Sequence, residues 1–257
     1  MTTRLGIIIV GSEILLGKRE DKHFARSRAQ VHARGYELAW SLLLADSWQD
    51  LVAQYRWAFA QDCAFFSFGG LGATPDDLTR AAAAAALDLP LQRHPEAEAR
   101  IRERFGDEAE PIRIRMADLP KGSDIIPNPI NQIPGFQLQN GYFFPGFPQM
   151  AEPMTAWVLE RDFPLCNPAV QLRLILRDQR ESDWVVFMEQ FCAAHREIEF
   201  SSLPSFLADG HTQIEIGLRG EETELEQAWT SLRQELERRK VRWEWMEGPL
   251  RTDEAMT

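Results

Sequence analysis

Apolar residues recur along the chain in two periods. Leu5-Gly6-Ile7-Ile8-Ile9-Val10 is a nearly continuous apolar run, and so is Cys63-Ala64-Phe65-Phe66-Ser67-Phe68. Unbroken runs of this length fit strands buried on both faces of a parallel sheet. Tyr36 to Ala45 predicts another strand between them in the chain. Elsewhere the apolar positions return at helical spacing. A loop over Gly11 to Glu20 leads to a helix closed by Gly35, and Ser47 is placed to cap a helix carrying Leu51, Tyr55, Ala58 and Phe59 on one face. Six alanines, Ala81 to Ala86, follow the third strand, and side chains that small let a helix lie close on a sheet. This β-α-β-α-β-α order predicts a parallel sheet with helices on both faces, a three-layer α/β/α domain.

Pro95 to Phe105 reads as a charged, exposed helix. Residues 111–150 are rich in Pro and Gly, with dense loop signals at Pro127 to Gly135 and Pro145 to Pro148 and a hairpin predicted to turn at Asn140-Gly141. Gln149 to Glu160 is the last helix of a first domain spanning 1–165. A composition shift over Phe163-Pro164 to Pro168 marks its end. Strand patterns at Gln171 to Leu176, Glu197 to Phe200, Gln213 to Leu218 and Val241 to Trp245 then enclose helical patterns at Trp184 to Ala194 and Leu225 to Leu236. That β-α-β-β-α-β order predicts a small ferredoxin-like α+β domain over 169–247, followed by a disordered tail, 248–257.

A length of 257 residues and 44% hydrophobic composition are enough for a substantial core, and a net charge of -11 argues against nucleic acid or an anionic membrane as the main partner. Cys63, Cys166 and Cys192 are widely spaced in apolar surroundings and read as reduced core residues of a cytoplasmic protein. No apolar stretch reaches the roughly 18 residues of a membrane span, and no signal-peptide pattern opens the chain. Trp40, Trp48, Trp57, Trp229, Trp243 and Trp245 lie in apolar periodic runs and read as core or interface anchors. His32, His94, His195 and His211 show no metal-ligand spacing, and no serine has a G-x-S-x-G setting.

The chemistry concentrates in Gly69-Gly70-Leu71-Gly72-Ala73-Thr74-Pro75-Asp76-Asp77-Leu78-Thr79-Arg80, between the third strand and the alanine run. A strand, a loop of small residues and a helix start place unpaired backbone amides where an anion can approach, so a phosphate is the natural occupant. A purely structural reading stands beside it: Thr74 as N-cap, Pro75 at the first helical position, and Asp76 and Asp77 in the first turn, complementing the helix dipole. The spacing is neither G-x-G-x-x-G nor a G-K-(S/T) phosphate loop, which argues against a conventional NAD or ATP site.

Four segments together resemble the molybdopterin-binding (MoaB/Mog-like) fold family, and most of all the N-terminal domain of the competence/damage-inducible protein A (CinA) group. Gly11 to Gly17 with Asp21 is similar to G-D-E-(I/L)-L-x-G…D-T-N, and Gly69 to Thr79 to G-G-(L/T)-G-x-T-x-D-D-x-T. Asn128 to Phe136 is similar to N-P-x-G-x-A-P-G-F, and Pro145 to Met154 to P-G-x-P-x-E-x-x-x-M. Ser202-Leu203-Pro204-Ser205-Phe206 resembles a recurring S-Y-P-x-(F/W) segment of the module that follows in that group. The chain is expected to be too short for the nicotinamide-nucleotide deamidase domain that many members carry further on.

The resemblance implies that Gly69, Gly70, Gly72, Thr74 and Thr79, with Gly11, Glu13, Lys22, Asn128, Pro145 and Gly146, hold the phosphate end of a pterin or a nucleotide. It ties Asp77 to catalysis, with Asp76 and Asp21 as assistants, and implies a divalent metal ion, Mg²⁺ or similar, on Asp76 and Asp77. The activity it implies is a metal-dependent pyrophosphatase acting on ADP-ribose-like or dinucleotide diphosphates. A molybdopterin-binding protein of molybdenum cofactor biosynthesis, without turnover, is the second reading, and a partner-binding protein with a vestigial site the third. A homodimer is expected on the same ground. The chain also departs from the pattern. Ser12 replaces an Asp, Lys22 and His23 replace Thr and Asn, Asn131 replaces a Gly and Met150 a Glu. Two acidic positions are thereby neutral, while Lys22 gains a charge suited to phosphate and His23 a group able to bind or exchange a proton, although each is more often a solvated residue at a helix start.

Overall fold

The computed structural model describes residues 4–166, 170–207 and 210–247. The chain divides into two units, Met1–Pro168 and Ala169–Thr257. The first runs β1 (Arg4–Val10), α1 (Ser12–Leu15), α2 (His23–Ala33), β2 (Glu37–Leu44), α3 (Trp48–Phe59), β3 (Ala64–Phe68), α4 (Thr79–Ala86), β4 (Leu91–Arg93) and α5 (Pro95–Phe105). It continues with β5 (Asp118–Pro120), β6 (Asp124–Ile126), β7 (Gly135–Leu138), β8 (Gly141–Phe144) and α6 (Pro148–Asp162).

Six strands form one sheet in the order β2-β1-β3-β8-β7-β6. The first four are mutually parallel, and β7 and β6 add on antiparallel. The continuous apolar runs have a simple cause: both faces of the sheet are covered. Leu5, Ile7 and Ile9 join Phe66 and Phe68 against Val31 of α2 and Val158 of α6. Ile8, Val10 and Phe65 face the other way, onto Leu51 and Tyr55 of α3 and Ala82, Ala83 and Ala86 of α4. Ala82, Ala83, Ala84 and Ala86 of α4 are buried, as a helix pressed on neighbouring elements requires.

Several expectations are corrected in this unit. The loop from Gly11 contains the short helix α1. The helix after the glycine loop starts at Thr79, five residues past Thr74, because Asp77 folds its carboxylate back onto the Thr74 amide and the Thr79 amide turns to the Gly70 carbonyl. Thr74-Pro75-Asp76-Asp77 is therefore a turn before the helix, and Thr74 is not its N-cap. The β7–β8 hairpin turns at Gln139-Asn140, one residue earlier than expected, since Leu138 pairs with Gly141. The Asn140 amide group pins that turn, donating to the Cys63 carbonyl at 2.9 Å and the Gln61 carbonyl at 3.3 Å. Helix α5 is not wholly exposed, because Ala97 and Ile101 are buried. Cys63 is buried as expected, but Cys166 is only partly so and Cys192 is exposed. Trp48 and Trp57 are exposed on α3, while Trp184, absent from the expected anchors, is fully buried.

The second unit runs β9 (Val170–Arg177), α7 (Val185–Ala194), β10 (Glu199–Phe206), β11 (Thr212–Gly220), α8 (Glu222–Arg239) and β12 (Trp243–Glu247). Its antiparallel sheet has the order β10-β11-β9-β12. Leu172, Leu174, Leu176, Ile214, Ile216 and Leu218 pack with Leu225, Ala228, Leu232 and Leu236 of α8. The alternate residue Arg173 pairs with Glu215 across the strands at 2.7 Å. The expected tail, 248–257, and part of the expected boundary around Pro168 lie outside the described residues.

Replacing Asn140 with Ala frees the Cys63 and Gln61 carbonyls that it ties to the hairpin. Asn140→Ala is expected to lower stability by about 1–3 kcal/mol, read as a lower urea midpoint at unchanged slope.

Candidate functional site

The loops leaving the carboxyl ends of β1, β3 and β8 surround a cleft of about 1010 Å³, and the loop between β6 and β7 closes one side. The carboxyl ends of parallel strands are where open α/β sheets bind ligands. Of the residues expected at a site, Gly11, Glu13, Asp21, Lys22, Gly69, Gly70, Gly72, Thr74, Asp76, Asp77, Asn128, Pro145 and Gly146 all line this one cleft. Thr79 does not. It is fully buried, and its hydroxyl donates to the Gly69 carbonyl at 2.9 Å beneath the loop. The expectation that Thr79 contacts a ligand is corrected to a supporting position.

The glycine loop is held from below. The Gly69 amide donates to the Phe144 carbonyl of β8 at 3.0 Å, and the Thr79 amide donates to the Gly70 carbonyl at 3.2 Å. A trans peptide points its carbonyl and the next amide in opposite directions. With the Gly69 and Gly70 carbonyls directed at Thr79, the Gly70 and Leu71 amides point away from it. Among the described residues, the amides of Gly70, Leu71, Gly72 and Ala73 donate to no protein acceptor, and all four residues belong to the cleft wall. The backbone requires glycine at position 70, and a side chain at 72 would displace Asp77. Gly70 has φ +68, and a Cβ there would lie 2.3 Å from the Thr79 hydroxyl. A Cβ on Gly72 would lie 2.3 Å from an Asp77 carboxylate oxygen.

The Thr79 hydroxyl also takes part in a buried polar chain. Tyr55 of α3 lies 2.8 Å from the Ser67 hydroxyl and donates to Thr79 Oγ1 at 3.4 Å. Burial raises the Tyr55 phenol to about 12, against partial relief from Ser67 and Thr79. It stays protonated and serves as a donor.

The carboxylates have local duties. Asp77 accepts from the Thr74 amide at 2.9 Å and from the Thr74 hydroxyl. The nearby Thr74 hydroxyl dipole, with the Asp76 amide second, lowers the exposed Asp76 carboxyl below its usual value. Asp21 accepts from the His23 amide at 2.8 Å and the Phe24 amide at 3.1 Å, which makes it a cap for α2. Asn128, only 2% exposed, braces its own loop by donating to Asn131 at 2.7 Å and to the Ile133 carbonyl at 3.0 Å. The Gly11 amide is engaged too, with the Leu44 carbonyl at 2.9 Å. Among the described residues no three His, Cys, Asp or Glu side chains group as metal ligands. This donor set does not build a resident cation cage. It suits Mg²⁺ carried in on a diphosphate, which takes its other ligands from phosphate oxygens and water and needs only about one or two carboxylates.

Three residues outside the expected site set bear on the cleft. Asp46, just past β2, exchanges hydrogen bonds with Ser12: the Ser12 amide donates to its carboxylate at 2.8 Å, and its own amide donates to the Ser12 hydroxyl at 2.9 Å. A carboxylate thus stands beside the position where the resembled motif has one. His23 is 6% exposed and stacks on Phe68 with ring centroids 4.8 Å apart. Its Nε2 lies 3.2 Å from the Gly146 carbonyl, so Nε2 carries the proton and donates. Burial lowers its pKa, partly opposed by Gly146 and Asp21. Arg80 is buried behind the glycine loop, off the cleft wall. The substitution of His23 for the motif's Asn was a signal for His23; Asp46 lies in no pattern that marks it, and Arg80 closes the glycine-loop segment one residue past the resembled motif.

Two outcomes follow from this wiring. Thr79→Val keeps the shape but leaves the buried Gly69 carbonyl without its donor, and denaturant melts should show a loss of about 1–3 kcal/mol. For His23, the folded pKa lies below the unfolded value of 6.5, so the unfolded chain binds more protons as pH falls through that value. Its contribution to stability is therefore complete above that value and declines below it. Between pH of about 7 and about 5, His23→Gln should lose less stability than the parent chain, measured as urea midpoints.

Residues 6–164 match the family model MoCF_biosynth, described as "Probable molybdopterin binding domain". The chain is similar to a CinA-like protein of Koribacter versatilis, 35% identical over 132 residues, covering 50% of this chain and 32% of that one. It is similar to a protein of Pyrobaculum calidifontis, 32% identical over 153 residues, covering 57% and 58%. It is also similar to the crystal structure of the protein CinA, with unknown function, from Thermoplasma acidophilum, at TM-score 0.58 and 27% identity, over 63% of this chain and 98% of that one. The chain thus spans 58% and 32% of the lengths of those two sequence relatives. With residues 6–164 matched and a parallel-rich α/β sheet, the chain belongs to the MoCF_biosynth family of molybdopterin-binding-type domains.

Proposed function

We propose that the cleft binds the phosphate end of a pterin or a nucleotide, with the loop from Gly69 to Ala73 as its cradle. The observation that carries this reading is the run of loop amides, Gly70 to Ala73, that border the cleft without a protein acceptor. Convergent backbone amides stabilise an anion even on a protein of net charge -11, because their dipoles act at short range. Lys22, on the loop between α1 and α2, adds a positive charge to the wall. The family description supports a pterin ligand, and the CinA-like relatives support the same class of site.

A second reading, a metal-dependent pyrophosphatase acting on ADP-ribose-like or dinucleotide diphosphates, is favoured by Asp76. Its carboxyl is exposed on the cleft wall, open to a substrate-borne Mg²⁺. Bound there, the cation would neutralise phosphate charge and polarise a water. Asp77 would position the loop through Thr74, and Asp21 would hold the start of α2 beside it. The second unit reads as a ferredoxin-like module, supported by its β-α-β-β-α-β order and central β11 and β9 strands.

A thermal-shift panel of molybdopterin, ADP-ribose and FAD, with and without Mg²⁺, tests the binding reading, because a ligand bound only by the folded state raises Tm. At least one compound should raise Tm, and inorganic pyrophosphate should compete with it. A panel with no shift would falsify phosphate binding. Release of AMP from ADP-ribose or FAD, abolished in Asp76→Asn, would establish the hydrolytic reading. Binding without AMP release under any divalent ion leaves the pterin- or nucleotide-binding function and removes the hydrolytic one.

A further inference from the structure

The geometry points to Arg80 as the residue that aims the Ala73 amide into the cleft and sets a positive charge behind the anion. This inference rests on the phosphate-binding reading and assigns a role to a side chain outside the cleft. Arg80 is 9% exposed. Its guanidinium donates to the Gly72 carbonyl from Nη2, and from Nη1 to the carbonyls of Arg115 and, at 3.3 Å, Asp118. It reaches no carboxylate directly among the described residues, and its Nε is buried without a partner. Burial lowers its pKa, with Asp77 and Asp118 opposing from a distance.

A cation buried among carbonyls is costly to keep, and an uncharged side chain of similar length would fill the same space. Two consequences of the arrangement explain its presence. First, drawing the Gly72 carbonyl toward Arg80 forces the amide of the same peptide unit, that of Ala73, to point away from it. Arg80 is off the cleft wall and Ala73 is on it, so away from Arg80 is toward the cleft. Thr79 does the same for Gly70 and Leu71 through the two preceding carbonyls, so three of the four amides without acceptors are set by two successive residues of α4. Second, the guanidinium charge acts through a poorly screened interior, and an anion on the loop would add to the distant counter-charges of Asp77 and Asp118.

The test compares binding of inorganic pyrophosphate, by calorimetry, in the wild-type protein and in Arg80→Met, Arg80→Lys and Arg80→Ala, each first shown to be folded by circular dichroism. Arg80→Met should weaken binding by about tenfold or more, as loss of a charge-assisted contact does. Arg80→Lys, which keeps the charge on a shorter reach, should fall between the two. Methylguanidinium should restore affinity to Arg80→Ala but leave the wild type unchanged. In ¹⁵N spectra, pyrophosphate should shift the Gly70, Leu71 and Ala73 amides of the wild type, and in Arg80→Met the Ala73 response alone should be lost. Wild-type affinity in a folded Arg80→Met protein, or equal loss at all three amides without methylguanidinium rescue, overturns the role of Arg80 and leaves phosphate binding standing. A wild-type protein that does not bind pyrophosphate or shift these amides overturns the phosphate reading itself.

Discussion

The candidate site depends on where the carbonyls of the glycine loop go. Each peptide unit of the loop has a donor at one end and an acceptor at the other, pointing in opposite directions. The first turn of α4 takes the acceptors: Thr79 holds the Gly69 and Gly70 carbonyls, and Arg80 holds that of Gly72. The donors are thereby presented on the other side, where the cleft lies. Glycine at positions 70 and 72 permits this because side chains there would strike Thr79 and Asp77. The alanines that follow keep α4 close enough to the sheet for two side chains and the Thr79 amide to reach three loop carbonyls.

The carboxylates do work of a different kind from the one their positions suggest. Asp21 starts α2, and Asp77 shapes the turn in front of α4. Asp46 locks the start of α1 to the end of β2 through Ser12. Their hydrogen bonds brace the walls of the cleft, and Asp76 stands exposed on it, open to a cation. Such a site is better suited to holding a phosphate, alone or with the Mg²⁺ it carries, than to keeping a metal in its absence.

Much of this was legible in the chain because both faces of the first sheet are covered. That makes β1 and β3 unbroken apolar runs, and the four motif segments fall into one cleft. What escaped was set by long-range contacts. Thr74-Pro75-Asp76-Asp77 satisfies every local rule for a helix start, yet the helix waits until Thr79, whose amide and hydroxyl are drawn to carbonyls nine and ten residues earlier. The hairpin moved by one residue because Asn140 is tied to the Cys63 carbonyl, far away in the chain. Strands β4 and β5 have three residues each, too few to show a period. Arg80, flanked by Thr79 and an alanine run, reads locally as a surface cation, and only the packing of the loop between α5 and β5 over it shows that it is buried.

Amide hydrogen exchange, resolved by residue, tests the central claim most directly. In the free protein the Gly69 amide, bonded to Phe144, should exchange slowly, while the Gly70, Leu71 and Ala73 amides, facing the cleft without acceptors, should exchange fast. A saturating phosphate-bearing ligand should slow those three and leave Gly69 as it was. Slow exchange of the three amides before any ligand is added would mean that they are already bonded within the protein, and would contradict the account.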